Sequence, residues 1–276
     1  MKKTKIDWCD STWNPVTGCF HGCEYCYARG IANRFGLPYA PKLGDPGMEG
    51  ALKYDSDEAG MDTMLELVKP YEKNGRKQPY PMCFEPTFHR YKLDEPQHWK
   101  KPRTIFVCSM ADLFGEWVPD KWIIDVLNAC REAPQHRYMF LSKNPDRYDM
   151  LEDAGIITPA DKNFWLGSTT EDVRRDKLHF NTPLHTFMSC EPMLAPWPKA
   201  STPNAISMIK GWLPEWVIFG AETGNRKGKV IPEKAWLDNA VKMCRNIGAK
   251  VFMKESLRGI MGEDFIQEFP WETKAR

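Results

Sequence analysis

The sequence predicts an α/β fold, and three observations support this prediction. Short apolar runs rich in β-forming residues alternate with stretches of helical periodicity. A polar residue follows several of the apolar runs, as expected at the ends of buried strands. The alternation recurs often enough to favour a full or partial (β/α) TIM-type barrel of six to seven parallel strands over an open sheet.

The predicted strands are short apolar runs, which is typical of parallel strands that are covered on both faces. The first of them leads directly into a loop that contains several cysteines. The seven candidates are TWNPV (12–16), TIFVCSMAD (104–112), RYMFLSKNP (137–145), FWLGSTTED (164–172), HTFMSCEPM (185–193), WVIFGAETG (216–224) and VFMKES (251–256).

The predicted helices follow from apolar spacing and from their end signals. A first helix covers 27–36, with Ala28, Ile31, Ala32 and Phe35 at helical spacing. A second covers 119–133, with proline in its first turn, and a short helix follows the third strand. A charged helix-like stretch follows the fourth strand. The clearest helix covers 232–248, with Trp236, Leu237, Ala240, Val241, Cys244 and Ile247 on one face.

Residues 37–103 do not fit this alternation. They are rich in proline, glycine and acidic residues, with one helix-like piece near MDTMLELV (61–68). Long irregular segments in compact domains often act as lids. We therefore interpret 1–276 as a single barrel domain in which 37–103 is an insertion over the barrel mouth.

Composition restricts the function classes. The 276-residue chain has 42% hydrophobic and 27% charged residues, which is typical of a globular protein, and no apolar run long enough to cross a membrane. The N-terminus lacks the apolar stretch of a secretory signal. Nine cysteines, an odd number, do not indicate a secreted disulfide framework, so we expect a reducing, cytoplasmic location. A net charge of +1 gives no strong nucleic-acid signature.

Three cysteines are concentrated in the loop GCFHGCEYCYAR (18–29), at Cys19, Cys23 and Cys26. Three thiolates suit a [4Fe–4S] cluster in which one iron is left for another ligand, whereas structural zinc takes four protein ligands. A zinc site with Cys9 or His21 as the fourth ligand is the alternative.

The spacing Cys-x-x-x-Cys-x-aromatic-Cys, with Tyr25 as the aromatic residue, resembles the signature of the radical S-adenosylmethionine (SAM) enzymes. The resemblance implies a [4Fe–4S] cluster and SAM as cofactors. It also implies reductive cleavage of SAM to a 5′-deoxyadenosyl radical that abstracts hydrogen from the substrate, and an external one-electron donor of the flavodoxin or ferredoxin type.

A closer resemblance covers nearly the whole chain. The chain resembles phage- and prophage-encoded three-cysteine radical SAM-like proteins of unassigned function. This resemblance implies the barrel fold, the [4Fe–4S] cluster and SAM as a cofactor, but it does not identify the substrate. The phage connection makes a hypermodified thymine with an amino-acid adduct in DNA an attractive substrate for isomerisation. The segments that carry it are WNPVTGC, CYA, KPRTIFVCSMADLF, REAPQH, LSKNPDR, WLGSTTED, SCEPML, WVIFGAETG and FMKE.

Polar residues after the predicted strands supply the remaining candidates. SAM needs a cation for its carboxylate, acceptors for its ammonium, and partners for its ribose and adenine. The cofactor-binding candidates are Lys143 for the carboxylate, Ser109 and Asp112 for the ammonium, Ser168 and Thr170 for the ribose, and Tyr25 for the adenine. Structural hydrogen bonds or ion pairs are the alternative for each.

The catalytic candidates are Glu191, Glu222 and Cys190, each at the end of an apolar strand. The alternative for the two glutamates is a structural ion pair with Lys143 or Lys254. The alternative for Cys190 is a buried position in the hydrophobic core. Arg226, Lys227 and Lys229 are candidates for contacts with nucleic-acid phosphates. The alternatives for the whole chain are a radical SAM enzyme that acts on a peptide or small metabolite, and a non-catalytic zinc or iron–sulfur protein that binds nucleic acid.

Overall fold

The computed structural model describes residues 4–37, 41–42, 44–53, 64–178, 181–199, 214–223 and 226–272. Its contacts divide the chain into two compact units. The first comprises Met1–Thr4 and Cys9–Phe140, and the second comprises Lys5–Trp8 and Leu141–Arg276. Among the described residues, no helix is both long and apolar enough to cross a membrane.

Seven strands form the principal sheet, and their hydrogen-bonded order is their order along the chain. Parallel strands in chain order are the connectivity of a (β/α) barrel or partial barrel, so the predicted fold class is confirmed. All seven strand positions were predicted, although the strands themselves are shorter than the predicted runs. They are β1 (Ser11–Trp13), β2 (Thr104–Val107), β3 (Arg137–Ser142), β4 (Phe164–Thr169), β5 (His185–Cys190), β6 (Trp216–Phe219) and β7 (Lys250–Met253).

In the first unit, β2 pairs in parallel with both β1 and β3. A second, smaller sheet is built from Val16–Thr17, Thr87–His89, Leu65–Leu67 and Ala51–Lys53, in that spatial order. Glu72–Lys73 and Arg76–Lys77 form a separate hairpin. Because Val16–Thr17 lies only three residues beyond β1, the small sheet is attached to the chain that leads into the cysteine loop.

The small sheet corrects one prediction. The helix-like piece near 61–68 is a strand at Leu65–Leu67, paired with Thr87–His89 on one side and Ala51–Lys53 on the other. Residues 61–63 lie outside the described part of the chain. The role of 37–103 as a lid stays a prediction.

In the second unit, β4, β5, β6 and β7 pair successively in parallel. Their apolar residues are buried almost without interruption; all four residues of β6 are buried, for example. Such strands are covered on both faces, which explains why they appear in the sequence as continuous apolar runs.

The helices in the described part of the chain are α1 (Tyr27–Phe35), α2 (Asp120–Arg131), α3 (Asp146–Asp153), α4 (Lys234–Asn246) and the short α5 (Arg258–Met261). Short 3-10 turns cover Arg90–Lys92, Glu95–His98, Glu255–Leu257 and Gly262–Asp264. The predicted face of α4 is confirmed: Leu237, Ala240 and Cys244 are buried, and Trp236, Val241 and Ile247 pack around them.

The predicted helix at 27–36 is confirmed as α1, and the charged helix-like stretch after β4 is not confirmed. α1 buries its alanines, Ala28 and Ala32, but Ile31 and Phe35 are exposed. The charged stretch after β4 is a turn rather than a helix as far as Leu178, where description of this stretch ends. Asp176 explains the turn, because its carboxylate accepts hydrogen bonds from the backbone N–H groups of Glu171 and Asp172 at 2.7 and 2.9 Å.

Candidate metal centre and strand-end polar groups

The cysteine loop begins where β1 and the small sheet end. The Gly18 N–H donates to the carbonyl of Met110 at 2.9 Å, and the Cys19 N–H donates to the carbonyl of Phe84 at 3.0 Å. The backbone before the first thiol is therefore fixed to two segments that are remote in sequence, one after β2 and one before Thr87–His89.

Gly18 is required at this position for two reasons. Its φ is +90°, a conformation that residues with side chains rarely adopt. A Cβ atom on Gly18 would lie 2.2 Å from the carbonyl oxygen of Glu85. The glycine thus permits the close backbone approach that places Cys19 beside Phe84.

The three thiols of this loop are half-buried. Cys26 is the N-cap of α1, and its Sγ accepts a hydrogen bond from the Arg29 N–H at 3.4 Å. Burial raises the pKa of Cys19 to about 12, and the nearby charges of Asp112, Cys23 and Cys26 also act to raise it. The Cys26 N–H donates to the Cys23 carbonyl at 3.3 Å, and Cys19 and Cys26 pack against the same apolar cluster. A cation that binds the three sulfurs would have to displace the proton of Cys19.

This donor set fits an iron–sulfur cluster. Soft thiolates are the ligands that such clusters take. Each thiolate of a cubane binds a different iron, so three sulfurs can hold a cluster without converging on one point. Within the described part of the chain, no group of three or more His, Cys, Asp and Glu side chains is arranged to hold a single metal ion.

His21, between the first two cysteines, is held by a carboxylate. Its Nε2 lies 2.7 Å from Oδ2 of Asp112, and its ring packs edge-on against Trp117 at 4.9 Å between centroids. Phe20 packs on the same indole at 5.4 Å. Oδ1 of Asp112 accepts a hydrogen bond from the Phe114 N–H at 3.0 Å. Asp112, predicted as an acceptor for the SAM ammonium, thus anchors the cysteine loop to the chain after β2.

Ser109 also lies beside the loop, through contacts that sequence reasoning missed. Its hydroxyl donates to Oδ1 of Asn14 at 3.1 Å, and the same oxygen accepts from the Met110 N–H at 3.0 Å. The Tyr27 hydroxyl donates to the Ser109 carbonyl at 2.8 Å. Tyr25, the signature aromatic, is half-buried. The position of Asn14 directly after β1 is the sequence signal that would have identified it.

In the second unit, the predicted ribose partners are buried hydroxyls. Ser168 and Thr170 are both fully shielded from solvent. The Thr170 hydroxyl donates to Oδ2 of Asp176 at 2.8 Å, the same oxygen that organises the turn after β4. Thr170 therefore has a structural role in that turn, and the cofactor role of both residues stays a prediction.

Lys143 and Glu191 each form an ion pair at the carboxyl ends of the strands. Lys143 pairs with Glu171, a pairing that the sequence did not predict, and Glu191 forms one of the structural pairs left open for it, with Lys254. Glu191 follows β5 and Lys254 follows β7, so the second pair crosses the end of β6. Gly220 leaves room for this crossing, since a Cβ there would lie 3.0 Å from Cγ of Glu191 and 3.2 Å from Cδ of Lys254.

Glu222 is buried after β6, and Arg226 donates to its two carboxylate oxygens through Nε and Nη2, at 2.6 and 2.7 Å. The Arg226 hydrogen bonds hold the pKa of the Glu222 carboxyl below its usual range. Arg226 therefore forms an ion pair with a buried carboxylate, whereas Lys227 and Lys229 are exposed to solvent.

Cys190, the third catalytic candidate, lies in the apolar core of the second unit. It is completely buried and packs in one cluster with Val217, Phe219 and Cys244. Burial raises the pKa of its thiol to about 12. A buried, neutral thiol among apolar residues has the environment of a small core residue.

Comparison with known proteins gives a family. The family described as "Protein of unknown function (DUF5131)" matches residues 3–261, and the chain belongs to it. No curated protein matches. Among solved structures, a mutant of spore photoproduct lyase matches at a TM-score of 0.47 and 10% identity, over 92% of this chain and 81% of that chain. A likeness with so low a TM-score supports no conclusion about activity.

Proposed function

We propose that this member of the DUF5131 family is a radical SAM enzyme, with a [4Fe–4S] cluster held by Cys19, Cys23 and Cys26. One observation carries the proposal. The three half-buried thiols occur within eight residues of a single loop that follows the first strand of a (β/α)-type sheet, and the third caps the next helix. This arrangement matches the spacing that the sequence shares with radical SAM proteins.

The bound cluster and SAM would supply the electron transfer and the 5′-deoxyadenosyl radical, while the protein supplies position and exclusion of water. The hydrogen bonds between Cys19 and Phe84 and between His21 and Asp112 attach the cysteine loop to the rest of the unit. Asn14 holds the segment at Ser109 and Met110 beside it. These contacts fix the first part of the loop that carries the three sulfurs.

Anaerobic reconstitution with iron and sulfide tests the proposal. We expect broad visible absorption that dithionite bleaches, about four irons per chain, the content of a cubane, and formation of 5′-deoxyadenosine from SAM. A colourless protein with stoichiometric zinc would instead support the zinc alternative from the sequence analysis. A coloured protein that does not bind SAM would support an iron–sulfur nucleic-acid-binding protein.

For the substrate we propose DNA that carries an amino-acid adduct on a thymine, which the enzyme would isomerise after hydrogen abstraction. The resemblance to phage-encoded proteins supports this, as do the exposed Lys227 and Lys229, whose charges suit backbone phosphates. We expect 5′-deoxyadenosine to form with modified DNA and not with free nucleosides. Equal turnover of both would refute a polymer substrate, and turnover of a peptide or small metabolite alone would replace DNA altogether.

A further inference from the structure

Helix α1 has its large apolar side chains on the outside. Tyr27, Ile31 and Phe35 are 51%, 36% and 54% exposed, and their spacing of four residues aligns them on one face. Ordinary surface helices direct such residues to the core. The residues that α1 buries instead are two alanines, Ala28 and Ala32.

The inward packing explains this orientation. Ala28 and Ala32 pack in one cluster with Phe84 and Met110, the same two residues whose carbonyls fix the start of the cysteine loop. Small side chains let the helix backbone approach that cluster closely, and this directs the neighbouring Ile31 and Phe35 outward. The exposed row is therefore a result of how the cysteine loop is held, and it begins next to Cys26. Exposed apolar surface of this kind often marks a site of protein interaction.

The charge of the helix indicates the partner. Its sequence, YARGIANRF, contains no acidic residue and two arginines. Arg29 lies over the ring of Phe84, in the inward-facing cluster, at 5.6 Å, so Arg34 is the arginine beside the exposed row. The Arg34 guanidinium lies over the Phe35 ring, 5.3 Å from its centroid, so charge and apolar surface occupy the same place. Glu24 is the one acid in the cysteine loop before it. An apolar row with a cationic edge complements a partner that has an acidic rim.

The size of the surface indicates a brief encounter. Nine helical residues extend only about 14 Å, which is short for a stable interface of roughly 1,600 Å² but is suited to the small interfaces of electron-transfer complexes. A second copy of the chain is a less suitable partner, because it would bring two arginine-bearing helices together and their positive charges would repel each other.

We propose that the Tyr27–Ile31–Phe35 face of α1 is the docking surface for a small acidic one-electron carrier protein that reduces the cluster. This inference rests on the proposed function, because a carrier is needed only if a cluster is present. It places the entry of the electron at the helix whose N-cap is the third cluster ligand.

The test uses an acidic flavodoxin as probe, with the holoprotein and its Ile31→Glu/Phe35→Glu variant. We expect the flavodoxin dissociation constant and the rate of cluster reduction by reduced flavodoxin each to worsen about tenfold or more in the variant, because acidic residues would now face an acidic partner. Arg34→Glu, which keeps the apolar row, should weaken binding in the same direction. Raising the salt from about 0.05 M to about 0.5 M should weaken wild-type binding as well.

Three controls separate the possible failures. Met150→Glu, which changes a side chain that is 62% exposed on α3, should leave flavodoxin binding unchanged. Reduction by dithionite should be equal in all variants, because a small reductant needs no docking surface. If dithionite fails to drive SAM cleavage in the wild type, the proposed function fails and the docking proposal with it.

If dithionite works and flavodoxin binds the wild type and the Ile31→Glu/Phe35→Glu variant equally, the docking surface alone is wrong. Light scattering gives a further decisive result. A wild-type dimer that the same double substitution dissociates would show that a second copy of the chain covers this face, and this too would overturn the proposal.

Discussion

The cysteine loop and the strand ends of the second unit both carry residues with functional chemistry, but the two regions hold them differently. In the loop, backbone hydrogen bonds at Gly18 and Cys19 fix the chain. At the strand ends, charged side chains bind one another, as Glu222 binds Arg226. The first arrangement orients the start of the loop that would hold the proposed cluster, and the second pairs charges within the fold. Substitutions of the thiols should therefore change metal binding, whereas substitutions of the backbone-fixing glycine or of the strand-end charges should change stability.

Loss of any one of the three clustered thiols should give the largest effect. We expect Cys19→Ser, Cys23→Ser and Cys26→Ser each to abolish stable cluster binding, because each thiolate holds a different iron. Iron content and visible absorption after anaerobic reconstitution measure this. The melting temperature of the metal-free protein should change little, and Cys9→Ser should retain the cluster. Full iron content in any of the three variants would contradict a three-thiolate site.

Gly18→Ala should destabilise the protein strongly and reduce cluster loading. Its Cβ would meet the Glu85 carbonyl at 2.2 Å, and its φ of +90° is unfavourable for alanine. Gly22→Ala is the matched control, since Gly22 has a φ of +73° but its Cβ would meet only the carbonyl of Phe20, at 4.0 Å. We expect about 1–2 kcal/mol of destabilisation for the control from conformation alone, and clearly more for Gly18→Ala. Denaturant unfolding measures both, and equal effects would show that the close approach to Glu85 is unimportant.

Glu222→Gln should lower the melting temperature by about 2–4 °C at neutral pH and leave the iron content unchanged. The pKa of Glu222 is lowered in the folded protein, so its contribution to stability is present above the ordinary glutamate pKa of 4.5 and is lost as the pH falls through the folded pKa. The difference in stability between wild type and variant should therefore shrink below about pH 4.5. A difference that is constant down to about pH 3 would argue against the Arg226 pair as its source.

Gly220→Ala should give the smallest effect. The added methyl would press on Glu191 and Lys254 at 3.0 and 3.2 Å, contacts that flexible side chains can relieve by small movements. We expect a destabilisation below about 1 kcal/mol, measured by denaturant unfolding. The Glu191→Gln background is the control, because there the ion pair is already removed and the added methyl should matter less.

These two regions also differ in how much of them the sequence predicts. Apolar runs specify the strands, because parallel strands are buried whole, and the spacing of Cys19, Cys23 and Cys26 identifies the candidate metal loop. The partners of Lys143 and Glu191 were not decided by position, because pairing depends on which long side chains reach each other across neighbouring strands. The orientation of α1 was missed for a related reason: periodicity groups its alanines with its large apolar residues, but only packing against the Phe84 and Met110 cluster decides which of them face inward.

The double attachment of the chain around Gly18 also bears on biosynthesis. The carbonyls that receive the Gly18 and Cys19 amides belong to Met110 and Phe84, which the ribosome adds long after the cysteines. A nascent chain that ends before Met110 has the thiols but not the frame that orients them. If the proposed cluster is assembled on these thiols, we expect its insertion to come late, after more than a third of the polypeptide has been synthesised.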